Sequence, residues 1–224
     1  MHQASLTRIH LNPAHPAVRR DLADYPHLHK TLMNLAPDGL DTHPRRQAGL
    51  LFRLETDHPT PLLFVQTRHT PRIQRLPPGY GTSNTRDLAA MFTHLRPGRP
   101  VRYRIIASPT ARIGNNPPPR HPDPRPGHRP STLRRGDITP LHGPDAQAWW
   151  QRRASQAGLT LTLTTHQPRP YRRPRDAPPG PHHHLVQFDG TAHITDPDAL
   201  ATALADGIGR GRAYGAGLLS LAPT

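Results

Sequence analysis

Apolar and polar residues alternate with period two over residues 6–11, 50–55 and 62–67, which predicts three strands in the first half of the chain. Between the first two, Val18, Leu22, Tyr25, Leu28, Leu32 and Leu35 follow one another at steps of three or four, the stripe of one helical face. Pro26 removes a backbone donor and disfavours helical geometry at Tyr25. Two short helices in line, or one kinked helix, are therefore expected, with Asp24 or Tyr25 capping the second segment. A weaker helical stretch is expected over 85–95. The second half reads as a strand over 101–107, a helix over 144–157 ended by Gly158, and a strand over 159–165. Residues 184–188 and 192–195 then supply another strand, or a hairpin around Asp189-Gly190. A helix over 198–205, capped by Asp196 with Pro197 in its first turn, leads to a closing strand over 217–221.

That order, β-α-β-β-α-β, is the ferredoxin-like motif, and the first half matches it with its last strand unlocated. The expected fold is α+β, two tandem ferredoxin-like (RRM-like) domains over 1–97 and 98–224, which the 224-residue length accommodates. Residues 114–130 and 167–181 carry proline and arginine with almost no aliphatics and are expected to be loops or disordered insertions.

Composition narrows the chemistry. Hydrophobic residues make up 33% and aromatics 5%, so the core must be lean. Lys+Arg number 29 against 15 Asp+Glu, a net charge of +14 that calls for a polyanionic partner or an anionic surface. Lys30 is the only lysine, so almost all of that charge is arginine, whose planar fork fits phosphate. There is no cysteine, which excludes a disulfide scaffold, thiol catalysis and cysteine-ligated zinc and fits a reducing compartment. With no signal-like N-terminus and no apolar run near the ~18 residues of a membrane span, a cytoplasmic protein with no membrane partner is expected.

The stretch GIGRGRAYGAGLLSLAP, residues 207–223, is the least ordinary part of the chain. Gly207, Gly209 and Gly211 flank Arg210 and Arg212, either as a backbone nest for phosphate or as a helix cap, turn and glycine-tolerant edge strand. It is neither a Walker loop nor a dinucleotide fingerprint, because Tyr214 stands where a third glycine is needed and the order is helix to strand.

This ending resembles that of the CasE family, the CRISPR repeat-processing endoribonuclease subunit of the Cascade complex. Leu11-Asn12-Pro13, Arg19-Arg20-Asp21-Leu22-Ala23, Leu28-His29 before Thr31-Leu32, and Tyr103-Arg104 leading to Ala107-Ser108-Pro109 match in the family's order. The resemblance implies two ferredoxin-like domains that bind the RNA hairpin of a CRISPR repeat and cut at the base of its stem. The implied cleavage needs no metal or other cofactor: the ribose 2′-hydroxyl attacks the adjacent phosphate and leaves a 2′,3′-cyclic phosphate. The partners implied are precursor and mature CRISPR RNA and the other Cascade subunits.

By the same resemblance His29 falls on the catalytic histidine, suited to proton transfer near neutrality. The family's tyrosine three residues earlier is replaced by Pro26. Tyr25, four residues before His29, shares its helical face and either orients the nucleophile, stabilises charge or packs in the core. Lys30 matches a basic residue read as a phosphate contact, and Arg172 and Arg173 match paired arginines of a basic hairpin that enters the RNA stem. Arg175, Arg134 and Arg135 are grouped with that surface as further basic residues. His182-His183-His184 is read as surface or RNA-facing rather than a zinc site, and at least one of Trp149 and Trp150 as core. A non-catalytic RNA-hairpin-binding protein with tandem RRM-like domains is the chief alternative, and a general basic DNA-binding or ribosome-associated protein a third.

Overall fold

The computed structural model describes residues 3–114, 134–174 and 183–224. Strand β1 (Ser5–Leu11) turns Thr7, Ile9 and Leu11 inward, and two short helices follow, α1 (Pro16–Ala23) and α2 (Tyr25–Met33). The break between them is the one Pro26 dictates: Asp24 takes an extended conformation (φ −140°, ψ 100°) and caps α2. After α3 (Pro44–Ala48) come β2 (Leu51–Glu55) and β3 (Leu62–Thr67), then β4 (Gly81–Asp87) and the short α4 (Ala89–Thr93). The first sheet has the order β2-β3-β1-β4 and every pairing is antiparallel.

Strand β4 is the closing strand that the hydrophobic pattern left unlocated, and it corrects the helix expected over 85–95. Its sequence GTSNTRD has no apolar face and all seven residues are exposed. It is held by its antiparallel ladder with β1, from Ser5 opposite Asp87 to Leu11 opposite Gly81. The helix begins only after Leu88, and the connection before β4 shrinks to one 3-10 turn, Ile73–Arg75.

The second half repeats the sheet: β5 (Pro100–Ala107), a two-stranded excursion of β6 (Thr110–Arg112) and β7 (Ile138–Pro140), α5 (Gly143–Gln156), β8 (Leu159–Arg169), β9 (Leu185–Ile194), α6 (Pro197–Asp206) and β10 (Leu219–Pro223). The order β10-β5-β9-β8 is that of the first sheet, strand for strand. Asp189-Gly190 is not a hairpin turn: β9 runs straight through it. A Cβ on Gly190 would strike the Leu163 carbonyl and the Tyr103 hydroxyl, so glycine is there for close strand approach. Strand β8 extends to Arg169, past the expected end at 165. Most of the proline-rich segment at 114–130, and residues 175–181 of the other, lie outside the described residues, as do Arg175 and His182.

Helix α5 buries Ala146, Trp149, Trp150 and Ala154 on the second sheet, with Trp150 stacked on Phe188 at 5.6 Å between ring centres. Both tryptophans are therefore core. The core of the first sheet, centred on Ile9, Leu28, Leu32, Phe52 and Val65, continues into Ile106, Leu185 and Ala216 of the second half. Polar contacts cross the same junction: Gln66 Nε2 donates to the Leu204 carbonyl at 2.7 Å and Arg53 Nη1 to Ser220 Oγ at 2.7 Å. Among the described residues no helix is long and apolar enough to cross a membrane.

Candidate nuclease site

Helix α2 directs Leu28, Thr31 and Leu32 into the core, which leaves His29 on its flank, half-buried, and Lys30 exposed. The ring of His29 lines a cleft of about 450 Å³ whose other walls are Met33, the stretch Thr42–Arg46 and Ala213. Burial, and secondly the charge of Arg45, push the His29 pKa down to about 4. Its Nδ1 is buried and has no hydrogen-bond partner among the described residues, so no protein group dictates which ring nitrogen carries the proton. Arg45 is fixed by a hydrogen bond from Nη1 to the Leu50 carbonyl at 3.0 Å. The arrangement is a neutral imidazole beside two guanidinium groups, that of Arg45 fixed, able to take a proton from a hydroxyl next to an anionic group.

Ala213 reaches the cleft because the glycine-rich loop is closed on itself. Its five glycines, Gly207, Gly209, Gly211, Gly215 and Gly217, all have φ between 76° and 91°. Ile208 N–H donates to the Gly217 carbonyl at 3.0 Å and Gly217 N–H to the Ile106 carbonyl at 2.7 Å. Arg212 Nη2 donates to the Gly207 carbonyl at 2.8 Å, bracing the loop from its own side chain. One 3-10 turn, Arg212–Tyr214, then rests against α2 and β2. The amides of Gly207, Ile208, Tyr214, Ala216 and Gly217 all bond within the protein, so they take no part in a phosphate nest. Gly209 lies against the Trp149 ring and Gly211 near His183 and Ser108, while Arg210 is exposed.

Tyr25 is not among the residues that line the His29 cleft. It is 6% exposed and belongs to the core, on the rim of a smaller cavity with Thr56, Ile106 and Arg169. Burial raises its pKa, partly offset by Arg172 and Arg169. Its ring meets that of Tyr171 edge-on at 5.6 Å, and Tyr171 in turn meets Tyr214 at 5.9 Å. The Tyr25 backbone N–H donates to the Arg172 carbonyl at 3.1 Å. The segment after β8 is thus docked on the start of α2, with Arg172 exposed and Arg173 half-buried. Arg169 anchors its base through Asp57 at 2.7 Å. Arg134 and Arg135 are exposed at the approach to β7.

The hydrophobic pattern gave no sign of Arg45 and Arg46, which the structure sets beside His29. The available signal was His43-Pro44-Arg45-Arg46, a proline at a helix start followed by paired cations. Among the described residues there is no group of three or more His, Asp or Glu side chains placed to hold a metal ion.

A family model described as CRISPR associated protein matches residues 5–223. The CRISPR-associated endoribonuclease Cse3 of Thermus thermophilus is 30% identical over 97% of this chain and 99% of its own. A solved structure of Thermus thermophilus Cse3 bound to an RNA representing a pre-cleavage complex superposes with a TM-score of 0.77 at 28% identity, covering 99% of this chain and 100% of the other. A chain of a CRISPR RNA-guided surveillance complex in a pre-nicking state is 35% identical, with a TM-score of 0.62 over 98% of this chain and 100% of its own. With its doubled four-stranded sheet, its glycine-rich ending and its histidine on the flank of α2, the chain belongs to the CasE (Cse3) family of CRISPR-associated proteins.

Proposed function

We propose that this protein is a metal-independent endoribonuclease that binds the RNA hairpin of a CRISPR repeat and cuts precursor RNA at the base of the stem. The product stays bound, so that the protein serves as a Cascade subunit in the cytoplasm. The observation that carries the reading is His29 lining a cation-walled cleft, in a chain matched end to end by an endoribonuclease. A histidine with a pKa near 4 is neutral at physiological pH and is ready to accept the 2′-hydroxyl proton. The freed oxygen attacks the adjacent phosphate, the bond to the 5′-oxygen of the next nucleotide breaks as that oxygen takes up a proton from water, and a 2′,3′-cyclic phosphate and a 5′-hydroxyl remain. Arg45 and Arg46 stabilise the charge that builds on the phosphoryl oxygens. Lys30, Arg172 and Arg173 hold backbone phosphates of the stem, and Arg210 extends that contact. The glycine loop positions Ala213 and Arg212 beside the cleft. Tyr25 is a positioning residue: it holds Tyr171 and, through its backbone, the base of the arginine-bearing segment.

The test is cleavage of a synthetic repeat hairpin, taken from the protein's own genome, in EDTA. Cutting at one site that is lost in His29→Ala, with hairpin affinity retained, is the expected result. Intact RNA despite tight hairpin binding would leave a binding module, and equal affinity for unrelated duplexes a general basic protein.

A further inference from the structure

A second cavity, of about 320 Å³, adjoins the His29 cleft and shares Arg45 and Arg46 with it. Both volumes fall in the range of roughly 300–1,000 Å³ usual for ligand pockets. Four arginines line it, Arg45, Arg46, Arg68 and Arg212, against one carboxylate, Asp206, which Arg68 engages at 2.6 Å. Arg46 is exposed and has no acidic partner among the described residues. Burial depresses the pKa of Arg45 and of Arg212, and each is lowered further by neighbouring arginines. Guanidinium groups do not lose their protons, so the cost stands as an excess of positive charge that Asp206 offsets only in part. The Arg212 Nε is buried and lacks a hydrogen-bond partner among the described residues.

The cavity is built rather than incidental. A Cβ on Gly49, which sits at φ +61°, would lie 2.5 Å from Arg68 Cγ, so glycine there is what lets Arg68 lie across the floor. The Arg68 backbone N–H is fixed to the Ala48 carbonyl at 2.8 Å. Arg212 comes from the second half of the chain and the other three from the first, so the charges meet only when both halves are folded together.

Position says what the cavity takes. The start of α2 touches the backbone of Arg172, while His29 and Met33, further along the helix, border Arg45. A strand laid from Arg172 past His29 arrives next at the four arginines. We infer that this pocket binds a phosphodiester of the single-stranded RNA that flanks the stem, immediately beyond the cleaved linkage. The inference rests on the RNA-cleaving function proposed above.

Two RNAs separate the possibilities: a repeat hairpin with its single-stranded flank and a 2′-deoxy block at the cut nucleotide, and the same hairpin trimmed at the stem base. Arg68→Gln, which leaves the His29 cleft intact, should weaken binding of the flanked RNA about tenfold, the loss of one charge-assisted phosphate contact. The slope of log affinity against log salt should flatten by about 0.7 for each single-strand phosphate released. Binding of the trimmed hairpin should be unchanged, which also shows that the variant is folded. An equal loss on both RNAs, or no loss on the flanked one, overturns the pocket. Failure of the unaltered protein to cut a flanked hairpin without the block would instead overturn the nuclease function itself.

Discussion

At the scale of the residue, His29 is held neutral by its surroundings: half-buried on α2 and facing Arg45, it has its pKa pushed down to about 4. Because the product stays bound, rates are read in single turnover, kcat/KM below saturation and kcat at saturating protein; a base with that value in the free protein should give kcat/KM that is flat from about pH 5.5 to 8 and falls only below. Bound RNA adds negative charge beside the ring and raises its pKa, so the acid limb of kcat should lie at higher pH than that of kcat/KM. Arg45→Gln should move the kcat/KM limb toward that of an ordinary histidine. A kcat/KM limb already at about 6.5 in the unaltered protein would mean a solvated ring. The same depression bears on folding. The folded pKa lies below the unfolded one, so the stabilisation is complete above the unfolded value of 6.5 and is lost as pH falls toward about 4. Tyr25 gives the contrasting expectation: with its ring in the core and its contacts made by the ring and backbone, Tyr25→Phe should change single-turnover cleavage less than about threefold. Tyr25→Ala should lower stability by about 3–5 kcal/mol, as other buried aromatic truncations do.

At the scale of the element, Gly207 shows why the loop between α6 and β10 needs glycine. Its φ of 76° and ψ of 162° lie in a region open essentially to glycine alone, and a Cβ would sit 2.7 Å from Leu51 Cδ2. Gly207→Ala should lower the urea midpoint by about 2–3 kcal/mol of stability at unchanged m, since strain and overpacking combine there. It should slow cleavage as well, because the loop carries Ala213 into the cleft. Gly98, also at positive φ but with open space around its missing Cβ, is the control and should lose no more than about 1 kcal/mol. The elements legible in the sequence were those that bury one face. The stripe from Val18 to Leu35, the Trp-bearing helix and the alternating Leu and Thr of β8 each record a contact with a core. β4 records none, because its hold on β1 is a ladder of backbone groups that every residue possesses, joined by one side-chain bond between the Thr7 and Thr85 hydroxyls at 2.8 Å. Gly190 misled for a related reason: a strand glycine required by a neighbour's approach looks, in sequence, like a turn. His29 and the glycine loop were legible through family motifs. The arginine pocket was not, because it assembles residues from α3, the residue after β3, the end of α6 and the glycine loop that only the tertiary fold brings together.

At the scale of the whole molecule, the two halves are joined by a buried polar network as well as by the shared core. Arg53 and Glu55, neighbours on one face of β2, pair at 2.9 Å with their side chains 5% and 7% exposed. Arg104 of β5 reaches Glu55 at 3.2 Å and Asp189 of β9 at 2.6 Å. Asp189 also accepts from Gln187 at 2.6 Å, and Arg53 donates to Ser220 of β10. Glu55 thus sits between two guanidinium groups, one from each half of the chain. Removing one member of a buried pair leaves the other charge without compensation, so Glu55→Ala should cost about 3–5 kcal/mol. Replacing both partners, as Arg53→Met with Glu55→Leu, should cost markedly less than Glu55→Ala alone, because no charge is then stranded. The pH dependence has a fixed sign. Burial alone would raise the Glu55 pKa, but Arg53 and Arg104 outweigh it and hold the folded value below the ordinary 4.5. Stability from this carboxylate is therefore present above about pH 4.5 and is lost as pH falls through the folded value. Urea melts of the unaltered protein and the double variant, run from about pH 7 to 3, should show a steeper acid loss in the former. Equal slopes would mean that the network contributes no net charge stabilisation to the join between the halves.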